Sequence, residues 1–125
     1  VTTLAAPRTT PNGAAGYLRY PLYLYRGDDL IPVSFVLWQD TARTEPVDLT
    51  GAAVAAQIRA NPDAPVAVDL TCTVALPNVI HVSLSGALSA TAPPGSWDLQ
   101  VSYPSGQVTT VVAGPVFVTP DITRP

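Results

Sequence analysis

From Tyr17 onward, apolar and polar residues exchange places every second position in one stretch after another, the period expected of half-buried strands. Tyr17 to Tyr25 sets Leu18, Tyr20, Leu22 and Leu24 on one face and Arg19, Pro21, Tyr23 and Tyr25 on the other. Proline cannot donate to a ladder, so Pro21 predicts a sheet edge or a bulge. Leu30 to Gln39 places Ile31, Val33, Phe35 and Leu37 toward a core and leaves Trp38 half-exposed at its end. After a polar loop, Val47-Asp48-Leu49-Thr50-Gly51 reads as a short extended segment and a turn, leading into a strand from Ala52 to Arg59 with Val54, Ala56 and Ile58 inward. Further strands are predicted over Val66 to Leu76 and Val79 to Leu84, with a turn at Pro77-Asn78. Trp97, Leu99, Val101 and Tyr103 alternate with Asp98, Gln100 and Ser102. Pro104-Ser105-Gly106 then turns the chain into Gln107 to Ala113, and Gly114-Pro115 interrupts before Val116 to Val118. A short helix fits only Ser85 to Thr91, where Pro93-Pro94-Gly95 stops it.

Seven to nine short strands with almost no helix predict an all-β fold, a single antiparallel Ig-like β-sandwich over residues 17–125. Residues 1–16 carry Pro7, Pro11, Gly13 and Gly16 among Thr and Ala and sustain no period, which makes them an extended N-terminal arm. Two readings of the arm stay open: a loose terminus, or a segment that orders against a neighbouring subunit through Leu4 and its prolines.

Composition changes this picture in one respect. Apolar residues are 47% of the chain but charged ones only 12%, about half the usual share. A surface so poor in charge is expected to meet other protein. Six arginines against nine acids give a net charge of −3, which lacks the basic stripe that phosphates require, so nucleic acid is not expected as a partner. No apolar run approaches the roughly 20 residues of a membrane span, and no membrane partner or leader is expected.

Candidate chemistry is sparse. The chain has no Lys, which excludes a Schiff-base lysine and a P-loop lysine. It has no Met, so Val1 reads as a literally translated start codon or a trimmed end. One cysteine, Cys72, allows no internal disulfide and reads as a small apolar strand residue; one histidine, His81, has no ligand or nucleophile at useful spacing and is expected to face solvent or a neighbour. No metal site, cofactor or catalytic set is expected, and the chain is read as no enzyme. Arg26-Gly27-Asp28 spells an integrin-binding tripeptide, yet it sits between two strand patterns and is followed by Asp29. It therefore reads as a turn, with Gly27 free to take a positive φ.

Several of these segments together resemble a known family. Arg26-Gly27-Asp28, Pro46 to Gly51, Gln57-Ile58-Arg59, Pro94-Gly95, Trp97 to Val101 and Val118 to Arg124, in this order, resemble the N-terminal β-sandwich domain of the phage baseplate upper protein family and its stand-alone relatives. The resemblance covers about Tyr20 to Arg124 and stops short of the helical and fibre-holding parts of that family. It implies a non-enzymatic structural protein of the virion of a tailed bacteriophage, assembled in the bacterial cytoplasm: a capsid decoration or a small tail or baseplate component. Its partners would be other virion subunits, in a homo-oligomer such as a trimer. Leu4, Arg8, Arg19, Tyr20, Tyr23, Tyr25 and Arg124 are the expected contact residues. The alternative is a carbohydrate- or cell-surface-binding module, in which Trp38 and Tyr23 would stack on sugars.

Overall fold

The computed structural model describes residues 2–5, 17–39, 44–120 and 122, with residues 2–5 and Ile31 described by their backbone alone. These residues are nearly all β. Nine strands and one helical turn follow in the order β1 (Thr2–Ala5), β2 (Leu18–Arg19), β3 (Leu22–Tyr25), β4 (Leu30–Trp38), β5 (Ala53–Arg59), β6 (Val68–Ala75), β7 (Val79–Leu84), α1 (Gly86–Ser89), β8 (Gly95–Ser102) and β9 (Val108–Thr119). α1, the only helix among the described residues, is far too short to cross a membrane.

The strands form one mixed sheet in the order β1-β4-β7-β6-β5-β8-β9-β2, with β3 also on β9, curled into a half-barrel. β6 makes the curl possible because it changes neighbour along its length. Val68 to Leu70 pair with β5, and Thr71 to Ala75 pair with β7. The concave side carries the core: Leu22 and Leu24 of β3, Phe35 and Leu37 of β4, Ala56 and Ile58 of β5, Val68 and Leu70 of β6, Ile80, Val82 and Leu84 of β7, Trp97, Leu99 and Val101 of β8, and Val111, Val112 and Val116 of β9. Each fully buried side chain of this size contributes about 1.5–3 kcal/mol. Val47, Leu49 and Ala92 close the cluster from the connecting segments. Thr50 N–H donates to the Asp48 carboxylate at 2.9 Å, a local turn that lets both neighbours of Asp48 point inward, and the bonds from Thr50 hold that carboxyl below its ordinary pKa.

Three sequence expectations change. The sheet is mixed and not antiparallel: β1 runs parallel to β4, and β2 and β3 run parallel to β9. Alternation fixes which face a side chain takes and leaves strand direction open. Short turns at Pro77-Asn78 and Pro104 to Gly106 do fix it for the strands they join, but no such turn leads into β9 from β3.

The single strand predicted from Tyr17 to Tyr25 is divided at Tyr20-Pro21, with both pieces keeping one continuous register on β9: Leu18 lies opposite Val112 and Leu22 opposite Val116. Finally, β9 does not stop at Gly114-Pro115 but runs on to Thr119. A shift of register near Leu99 leaves Val111 without an opposite residue, so that Val111 and Val112 are both buried.

Within the expected arm, Thr2 to Ala5 form β1 on their own chain's β4, with Leu4 opposite Leu37. Residues 1 and 6–16 lie outside the described residues.

Candidate functional site

β3 is positioned by what its inward residues need. Burial of Leu22 and Leu24 turns Tyr23 and Tyr25 outward, where 70% of Tyr23 and 40% of Tyr25 is exposed. The parallel register sets Tyr23 beside Phe117 of β9, itself half exposed, and the two rings stack with centroids 5.2 Å apart and planes 21° apart. Upright side chains on neighbouring strands meet face to face in this way. The result is an exposed aromatic ridge along one margin of the sheet.

Two prolines shape that margin. The register brings Pro21 level with Pro115, and neither has an N–H. The ladder position that Pro115 leaves empty is filled by a side chain: the Trp97 indole Nε1–H donates to the Tyr20 carbonyl at 2.7 Å. Between them Gly114 lies against the Tyr20 backbone, where a Cβ would overlap the Tyr20 carbonyl oxygen. Tyr20 packs edge-on against Phe35, at 5.4 Å and 87°.

The Arg-Gly-Asp tripeptide is a latch at the end of β3. Gly27 has φ 89°, and Asp28 N–H closes the turn on the Tyr25 carbonyl at 2.9 Å. Ser89, fully buried in α1, accepts from Gly27 N–H at 3.1 Å and donates toward the carbonyls of Asp28 (2.7 Å) and Gly86 (3.1 Å). Arg26 reaches the Ala90 carbonyl at 2.7 Å, and the Asp29 carboxylate accepts from Gly86 N–H at 2.5 Å. An adhesive tripeptide presents its arginine free, whereas this arginine is engaged by the next corner of the fold.

The convex side carries a polar hollow of about 410 Å³ over β5, β8 and β9. Gln57 donates to Asp69 at 2.8 Å, while Arg59 donates to Gln57 at 3.1 Å and to the Ala64 carbonyl at 2.5 Å. Asp98 borders the same hollow; partial burial raises its carboxyl above the ordinary 3.8, and the Arg59 charge pulls it back in part. On the other half of the convex side, His81 is exposed and its Nδ1 is 2.6 Å from Ser34 Oγ. Among the described residues, no three of His, Cys, Asp and Glu come together as metal ligands would.

Of the expected contact residues, Arg19, Tyr23 and Tyr25 share the exposed face of β2 and β3. Tyr20 is half-buried against the core instead, and Leu4 lies at the opposite margin of the sheet, on β4. Arg8 and Arg124 lie outside the described residues. Sequence reading missed Phe117, because Val116-Phe117-Val118 is apolar throughout and gives no parity, and it missed Ser89, whose hydroxyl acts through partners more than 60 positions away. No protein-family model and no curated protein matches this chain.

Proposed function

We propose that this protein is a non-enzymatic structural subunit of a tailed-phage virion, a capsid decoration or a small tail or baseplate component that binds other virion subunits. The observation that carries the reading is the aromatic ridge of Tyr23 and Phe117, exposed on a sheet margin in a chain with only 12% charged residues. Exposed aromatic pairs of this kind are enriched at protein contacts. The ordered resemblance from Arg26 to Arg124 supplies the virion context, and the latch gives Arg-Gly-Asp a structural use that fits it.

Within the half-barrel we infer an Ig-like β-sandwich. β4, β7 and β6 form one layer and β5, β8, β9 and β3 the other, with β6 passing between them and both layers facing one core.

The test adds purified protein to expanded capsids and to tails of the parent phage and measures bound copies. Binding in symmetric copy number is expected. A monomer that joins neither and binds a glycan would establish the carbohydrate-binding alternative instead. For that alternative, Tyr23 offers a sugar one ring face only, the other being covered by Phe117.

A further inference from the structure

The outer edge of β3 carries backbone groups in a pattern that complements itself. In the parallel ladder, Tyr20 and Arg26 send their amides to β9, to the carbonyls of Ala113 (3.0 Å) and Thr119 (2.9 Å). Alternation then directs Leu22 and Leu24 to β9 as well, and turns the backbone groups of Pro21, Tyr23 and Tyr25 the other way. β3 has no pairing partner on that side among the described residues. Two of the groups there need no partner: Pro21 has no N–H, and the Tyr25 carbonyl already accepts from Asp28. From Pro21 to Tyr25, what remains open among the described residues is the Tyr23 N–H and C=O, the Tyr25 N–H and the Pro21 C=O.

We propose that this edge pairs with the same edge of a second copy of the chain, antiparallel and about a two-fold axis at Tyr23. In this register Tyr23 exchanges both backbone hydrogen bonds with Tyr23 of the second copy. Tyr25 N–H donates to the Pro21 carbonyl of the second copy, and the reverse bond forms by symmetry. The missing Pro21 donor then falls opposite the one carbonyl that the turn already satisfies, so the open groups from Pro21 to Tyr25 are all paired.

The side chains agree with the backbone. Directly opposite residues of an antiparallel pair project to the same face, so the two copies of Tyr23 become neighbours and the stacked pairs join into one row, Phe117, Tyr23, Tyr23, Phe117. Exposed Arg19 of one copy comes level with Gly27 of the other, beside its exposed Asp28, so that opposite charges meet at both ends of the pairing. Edges that avoid such pairing carry charges at the centre; Pro21, Leu22, Tyr23, Leu24 and Tyr25 carry none. The pairing joins two half-barrels through a continuous sheet. It names the partner of the ridge and rests on the edge geometry, not on the virion assignment.

The experiment measures oligomeric state by sedimentation velocity on the full chain. Wild type is expected to dimerise in the micromolar to millimolar range. Tyr23→Lys sets two lysines opposite one another and is expected to abolish the dimer while the monomer still unfolds cooperatively, because that side chain faces out and its loss within one copy is confined to the stacking on Phe117. Tyr23→Glu behaves likewise alone, and mixing the two variants restores a dimer only if position 23 faces itself. A further variant, Tyr23→Cys, reads the axis directly. Opposite Cα atoms in such a pair lie about 5.5 Å apart, within disulfide reach, so oxidation is expected to give covalent dimers that wild type, with Cys72 alone, does not form. A wild-type monomer or trimer, a Tyr23→Lys variant that still dimerises, or charge variants that do not recombine would overturn the pairing. Capsid or tail binding, measured separately, would survive that result if the virion reading holds.

Discussion

Ser89 shows how much one small side chain can organise. Its hydroxyl satisfies Gly27 N–H and Asp28 C=O at once and so ties the turn after β3 to the corner before β8. Ser89→Ala leaves both groups without that partner, and a loss of about 1–3 kcal/mol is expected, read as a lower urea midpoint with an unchanged slope. Asp98 works in the opposite sense. Its folded pKa is raised by burial, so the folded chain holds the proton more tightly than the unfolded chain does. Between the ordinary value of 3.8 and the raised one the native state binds more protons, and stability contributed by this group falls as pH rises through that window. Asp98→Asn removes the cost of the partly buried charge while keeping the shape. Its melting temperature is expected to exceed that of wild type at pH 7, with the difference closing as pH falls below the ordinary carboxylate value. A larger difference at low pH than at neutral pH would contradict this sign.

At the scale of elements, the attachment of β2 and β3 to β9 depends on residues that compensate for two prolines. Gly114→Ala would drive a Cβ into the Tyr20 carbonyl, and Trp97→Phe would keep most of the ring while removing the N–H that reaches it. Both are expected to loosen the margin more than the core. The measurement is hydrogen exchange at Leu22 and Leu24, whose amides face β9: protection there should fall while that of Ile80 and Val82 in β7 stays near wild type. Uniform loss across both places would mean that Trp97 acts only through core packing.

This margin also marks where the sequence stops being legible. The inward faces of β3, β4, β5, β7 and β8 follow directly from alternation, since burial of one face requires polarity on the other. The direction of β1, β2 and β3 does not, because parallel and antiparallel ladders share the same period. Nor does the continuity of β9, which depends on an indole donor contributed from another strand. Tyr23 was legible as an outward tyrosine, but its stacking on Phe117 follows from a register that only the fold fixes.

For the molecule as a whole, the N-terminal segments occupy both margins of the sheet. β1 covers β4, and β2 with β3 covers β9, while the buried cluster of described residues runs from Leu22 to Val116. Deleting residues 1–16 removes the cover of β4 and none of that cluster. Cooperative unfolding is therefore expected to persist in the deletion variant, with a melting temperature lowered only modestly. The uncovered strand is a different matter. Backbone groups of β4 between Phe35 and Trp38 would lose their partners on β1, and an unpaired apolar strand is a template for pairing with other chains. The deletion variant is expected to scatter more light on concentration than the full chain does, and to bind capsids or tails more weakly if the arm contacts neighbouring subunits. Adding Tyr23→Lys separates the two margins, since it should suppress pairing through β3 and leave association through β4 untouched. Loss of cooperative unfolding on deletion would instead place the arm within the core.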